Sequence, residues 1–190
     1  MTLDQNVFRF RAMSCIKCSL FEKMSSDNAG TILNIYKVNM TIVNCRFNQI
    51  QSSKYPGCFY VCNSLFILEL SSFNTCYASG ADANYGRITL SQYSNITVRE
   101  FSAIKCGPSK SALGDSVNAF HHSNVSVDSY NTSVCYGIDG SATVSILYVV
   151  EEFTAKRINC VDCIDWNSFE YVRNTKKSYT LSSNFINSTM

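Results

Sequence analysis

The sequence predicts an all-β chain wound into a right-handed parallel β-helix of about seven coils, and three observations lead there. One eleven-residue pattern recurs along the whole chain, a second short alternating run precedes most copies, and turn formers rather than helix formers fill the gaps. The 190 residues are 46% apolar, enough to bury a core. Ser (27) and Asn (18) are abundant and Pro (2) is scarce, which suits many short strands joined by polar turns. Residues 1–190 therefore read as a single β-helix domain or segment, part of a longer chain.

The pattern is clearest in ITVREFSAIKC, Ile96 to Cys106. Apolar residues stand at positions one and three, an aromatic at six, an apolar residue near the end (Ile104) and a cysteine at eleven. The same template reads FRFRAMSCIKC from Phe8, FILELSSFNTC from Phe66, VSVDSYNTSVC from Val125 and FTAKRINCVDC from Phe153. Weaker copies without the final cysteine start at Met40 and Tyr179. The gaps between the seven starts are 32, 26, 30, 29, 28 and 26 residues, too long for one strand and a turn, so each repeat is a coil of several strands.

The preceding strand is expected at Thr31 to Ile35, Cys58 to Cys62, Arg87 to Leu90, Ser116 to Phe120 and Val144 to Tyr148, each with period-two alternation. The second half of the template supplies a third strand. Variable loops such as Gly107 to Ser116 and Ser52 to Gly57 account for the uneven gaps. A single coil cannot bury its apolar side, so the core closes only when neighbours stack above and below. A leucine-rich repeat fails because Val, Ile, Phe and Tyr fill the leucine places and most gaps are too long. A left-handed hexapeptide helix fails because the six-residue rhythm is absent.

With the template ITVREFSAIKC and a preceding strand such as RITL, the sequence resembles right-handed β-helix repeat proteins of the pectin-lyase-like superfamily. More narrowly it resembles surface proteins with polymorphic-outer-membrane-protein-type repeats. The resemblance covers about residues 7 to 189, although the GGA[IL] and FxxN tetrapeptides of the bacterial repeats are missing. It implies a structural or adhesive surface role, with a polysaccharide lyase or hydrolase as the alternative that many enzymes of this shape suggest.

Stacking in register turns template positions into rows. Position four becomes Glu69, Arg99, Asp128, Lys156, alternating in sign, and is expected to set register. Position two becomes Thr97, Ser126, Thr154, Thr180, an outward hydroxyl row. Position eleven becomes Cys18, Ile50, Cys76, Cys106, Cys135, Cys163; the Ile says that it faces inward, and buried thiols are expected because cysteine packs as a small hydrophobe. Adjacent coils would also bring Cys76 within disulfide range of Cys106, and Cys135 of Cys163. Cys15-x-x-Cys18 and Cys160-x-x-Cys163 lie five coils apart, so a shared zinc site is rejected, and neither opens a helix as a redox motif would.

Chemistry is harder to place. The net charge of +2 without a basic run speaks against nucleic acid. Glycosidase-type catalysis needs paired carboxylates, and a lyase needs clustered acids with a base. The nearest arrangement is Asp115 and Asp128 in the coil of His121 and His122, and adjacent histidines in one strand cannot both face one site. No catalytic, cofactor-binding or metal-binding residue is assigned. No apolar run spans a membrane and no signal peptide is recognisable, while ten cysteines and sequons at Asn39, Asn95, Asn124, Asn131 and Asn187 fit an exported protein. Asn39, Asn95 and Asn124 fall where the chain turns into a strand, so they read equally as turn residues. The expected location is extracellular or at the cell surface, with signal and anchor outside this segment. The expected partner is a host or cell-surface protein or a glycan, and uncapped ends predict self-association.

Overall fold

The computed structural model describes residues 14–27, 30–54, 56–78, 88–106, 116–137, 141–147, 152–165, 170–173 and 176–188. These residues form a parallel β-solenoid, and every strand pairing is parallel. One sheet stacks Ser14–Lys17, Met40–Val43, Leu65–Glu69, Asn95–Ile104, Asn124–Ser133, Glu152–Val161 and Lys177–Ile186 in that order. These are the seven template copies. A second sheet stacks Leu33–Tyr36, Phe59–Cys62, Thr89–Gln92, Ser116–His121, Ser141–Leu147 and Glu170–Arg173, the strands that precede the last six copies. Arg87, Asp115 and the loop 107–115 lie outside the described residues. No helix among the described residues is long and apolar enough to cross a membrane.

Sharp bends convert strands into coils. Eighteen described non-glycine residues have positive φ, and they recur at equivalent places: Asn44, Leu70, Glu100, Ser129 and Arg157 at one bend, Thr75, Lys105, Val134 and Asp162 at the next, and Lys37, Asn63, Tyr93 and His122 at the third. A left-handed residue costs about 1–2 kcal/mol without glycine, so each bend needs compensation. Where a Ser or Cys follows the bend, its side chain supplies it. Ser64, Ser71, Ser94 and Ser123 Oγ each donate to the carbonyl two residues back at 2.8 Å. Cys45, Cys106 and Cys135 Sγ do the same at 3.4 Å, and Cys76 at 3.5 Å.

These bends also reset strand alternation. In the central copy Ile96, Val98, Phe101, Ala103 and Cys106 are buried, at spacings of two, three, two and three, because Glu100 and Lys105 each add an outward step. Ile104, expected in the core, is instead 45% exposed, and Ala103 occupies the inward place.

The register corrects both end copies. Ser14 pairs with Met40, so the first copy begins at Ser14 rather than at Phe8, which lies outside the described residues. Aligning cysteine with cysteine had set the wrong offset. The observed offset stacks Phe21 on Phe47, with ring centroids 5.0 Å apart and planes 7° from parallel. Cys18 then falls on an exposed bend, and Met24 takes its expected place beside Ile50. At the other end Phe153 pairs with Ser178, so the last copy begins one residue before Tyr179.

The core runs the length of the coil stack. Its main thread is aromatic: Phe47 stacks on Phe73 at 4.6 Å, Phe73 meets Phe101 at 5.1 Å, and Phe101 stacks on Tyr130 at 4.4 Å. Tyr130 is fully buried, and its hydroxyl accepts a 2.6 Å hydrogen bond from Asn118 Nδ2, which ties the two sheets together. Burial pushes the Tyr130 phenol well above its ordinary value.

Candidate functional site

Three kinds of side chain on this scaffold could carry chemistry: the outward rows, the polar groove at the third bend and the buried thiols. The outward rows follow from register. Glu69, Arg99, Asp128 and Lys156 sit side by side as expected. Arg99 Nη1 meets Glu69 Oε1 at 3.1 Å. Asp128 Oδ1, however, is held by Arg157 Nη2 at 2.7 Å and Nε at 2.8 Å. Arg157 is the left-handed bend residue, and that backbone turn swings its side chain back toward the preceding coil. Such exposed pairs contribute about 0–1 kcal/mol each, so they select register more than they add stability. The hydroxyl row holds through Thr97, Ser126 and Thr154, but its next member is Tyr179 rather than Thr180 because of the corrected offset.

Amide rows were not foreseen. Asn74 Nδ2 donates to Asn48 Oδ1 at 2.9 Å, and Asn48 Nδ2 donates to Glu22 Oε1 at 2.8 Å. In a second row Asn184 donates to Asn159 at 3.0 Å and Asn159 to Asn131 at 2.7 Å. The sequon asparagines share this behaviour: Asn124 Nδ2 donates to Asn95 Oδ1 at 3.1 Å, and Asn39 Oδ1 accepts from Leu65 N at 3.4 Å. Asn at position nine in two successive coils (Asn48, Asn74) and at position seven in two others (Asn131, Asn159) was the available signal, and the wrong offset in the last copy hid Asn184.

Where the third bend turns into the first sheet, Asn39, Asn63, Tyr93, Asn95, His122 and Asn124 line an open groove of about 450 Å³. Tyr93 and His122 are bend residues of successive coils, and their rings stack at 4.8 Å and 9°. The two histidines diverge as alternation requires. His122 lines the groove, whereas His121 is buried, and burial first and His122 second pull its imidazole down to about 4. Of the carboxylates expected near them, Asp128 is engaged by Arg157 and Asp115 lies outside the described residues.

Cys45, Cys58, Cys62, Cys76, Cys106 and Cys135 are buried and unbridged, as the packing argument expects. The position-eleven row is not continuous cysteine, since Met24 and Ile50 begin it. Burial pushes the Cys58 and Cys106 thiols well up, while hydrogen bonds from Cys106 and Cys58 draw Cys76 down to about 4. Cys163 is the exception to the thiol expectation: it is bonded to Cys160 of its own coil rather than to Cys135, with Cα atoms 6.1 Å apart. Both residues face inward on either side of the Asp162 bend, which brings them together. The exposed Cys15 and Cys18 lie in the first coil, five strands away in the sheet order, and among the described residues no three His, Cys, Asp or Glu side chains gather as a metal site.

No family model, curated protein or solved structure matches the chain. The solenoid therefore stands on its own strand pairing, and the pectin-lyase-like and polymorphic-outer-membrane relationships gain no support from relatives.

Proposed function

We propose that this chain is a non-enzymatic structural or adhesive segment of a secreted or cell-surface protein. The observation that carries the reading is the use made of the outward side chains. Arg99 with Glu69, Asp128 with Arg157, and the Asn48–Asn74 and Asn131–Asn159–Asn184 rows bond to side chains one coil away, rather than converging on a common point. Side chains spent on register make a stiff spacer, and an acid–base pair needs the opposite arrangement. The Cys160–Cys163 bond and the sequons support the extracellular placement, and the groove beside Tyr93 and His122 offers amide and ring groups to a protein or glycan partner.

The rival reading is a polysaccharide lyase or hydrolase. Incubation with pectin, alginate and chondroitin, followed by assay of new reducing ends and unsaturated products, is expected to give no turnover. Turnover that disappears in Asp128→Ala would replace the structural reading with the enzymatic one.

A further inference from the structure

Asn95-Ile96-Thr97 opens the strand Asn95–Ile104, where alternation buries Ile96 and turns Asn95 and Thr97 to the same outward face. An N-x-S/T sequence needs such an outward face to carry a sugar in the folded state, because the attached glycan is bulky and hydrated. Asn95 is exposed, and its Oδ1 accepts a 3.1 Å hydrogen bond from Asn124 Nδ2 of the next coil. Among the described residues no hydrogen bond engages Asn95 Nδ2, and the oxygen contact turns that nitrogen away from the coil of Asn124. The other four sequons each lack part of this arrangement. Asn124 Nδ2 is the donor to Asn95, and Asn131 Nδ2 lies 3.5 Å from the carbonyls of Phe101 and Ser129. Lys37 rather than a ring stands two residues before Asn39, and Thr189 of the Asn187 sequon lies outside the described residues.

Two residues before Asn95 stands Tyr93, the left-handed bend residue, and its ring lines the same groove of about 450 Å³. His122 of the next coil stacks on one face of that ring at 4.8 Å, and the order of the second sheet puts the coil of Asn63 on the other side. Asn63 and Leu65 of that coil bring no ring to cover the second face, and Tyr93 stays 58% exposed. The face of a phenol ring is electron-rich, so it attracts the polarised C–H groups on the flat side of a pyranose. The hydroxyls of such a sugar then reach the rim of the groove, where the amides of Asn39 and Asn63 stand.

We propose that Asn95 carries an N-linked glycan whose first sugar lies in this groove against the free face of Tyr93. The donor is a polyprenyl-pyrophosphate-linked oligosaccharide. Asn95 Nδ2 forms a bond to C1 of its terminal sugar, the bond from C1 to the pyrophosphate oxygen breaks, the pyrophosphate leaves with the electron pair, and the amide nitrogen gives up one proton to a base of the transferring enzyme. Asn95 Oδ1 takes no part, so the bond from Asn124 survives the transfer. The inference rests on the secreted or cell-surface placement above, and it names the occupant of the groove as the chain's own sugar.

The test is to produce the chain behind a cleavable secretion leader in eukaryotic cells, which makes exposure to the donor independent of where the protein naturally goes. Glycopeptide mass spectrometry of the folded product is expected to find Asn95 occupied. Thr97→Val, which keeps Asn95 and its bond from Asn124, should lose one glycan, and Thr97→Ser should retain it. In NMR spectra the ring current of Tyr93 is expected to move protons of the Asn95-linked sugar upfield. Tyr93→Asn, which places at this bend the residue that Asn63 already provides one coil earlier, should abolish that shift, and Tyr93→Phe should preserve it. Circular dichroism matching the parent shows that each variant is folded. An unoccupied Asn95 in the folded product overturns the site. An attached sugar whose proton shifts are the same in Tyr93→Asn as in the parent overturns its place in the groove. The polysaccharide assays above test the structural reading itself, so the two can fail separately.

Discussion

At Cys45 one side chain does two jobs. Its sulfur is fully buried, and it lies 3.4 Å from the Val43 carbonyl and 3.8 Å from that of Ile16, so it fills the core while its thiol supports a left-handed bend. The same row carries Ser19 in the coil before and Ser71 in the coil after, both of which make the corresponding bond to the carbonyl two residues back. Serine and cysteine are therefore near-equivalents at this corner, and hydrophobicity alone does not explain the cysteine. Cys45→Ser is expected to shift stability by less than about 1 kcal/mol, whereas Cys45→Val, which drops the donor and adds branching in a packed corner, should cost about 1–3 kcal/mol. Urea denaturation of both variants in reducing buffer checks the order, and a valine variant as stable as the serine one would remove the donor from the account.

At the scale of the strand, the bends decide which residues reach the core. A continuous strand would bury every second residue, but the left-handed residue within each template inserts an outward step, which yields inward positions one, three, six, eight and eleven. Positions six and eight share a fixed volume, so a large residue at one obliges a small residue at the other. Phe101 with Ala103 and Phe73 with Ser71 are the two solutions in adjacent coils. Truncating Phe101 alone to Ser should therefore cost about 3–5 kcal/mol, and Ala103→Phe alone about 1–3 kcal/mol through overpacking. The double variant Phe101→Ser with Ala103→Phe merely moves the switch one coil along the stack. It should be more stable than the sum of the single effects predicts, by at least about 1 kcal/mol, measured as the coupling in a double-mutant cycle of chemical denaturation.

Over the whole molecule, stability is distributed as in a one-dimensional stack, in which each coil depends on its neighbours. Among the described residues, the strands of central coils pair on both sides, while Ser14–Lys17 and Lys177–Ile186 stand at the ends of the strand order. The strand Asn95–Ile104 buries Ile96, Val98, Phe101 and Ala103 almost completely, while Lys177–Ile186 is exposed along nearly all its length. Amide hydrogen exchange should accordingly be slowest in Asn95–Ile104 and Asn124–Ser133, and fastest in Ser14–Ser26 and Lys177–Ile186. Uniform protection along the chain would mean that the ends are covered in solution.

The sequence by itself determined the architecture: the recurring template and its preceding strand gave the parallel stack, and the charge row Glu69, Arg99, Asp128 appears in the register that the repeats required. These features were legible because they depend on period, which one chain displays many times over. Tertiary structure alone decided the offsets at the two ends, the inward turn of Ala103 in place of Ile104, the capture of Asp128 by Arg157 rather than Lys156, and the Cys160 bond to Cys163. Each depends on a bend. A left-handed turn at residues as different as Leu70, Thr75, Glu100 and Arg157 has no residue-type signature, since it is imposed by the closure of the coil; a Ser or Cys follows it at Leu70 and Thr75, but Phe101 and Ile158 follow Glu100 and Arg157.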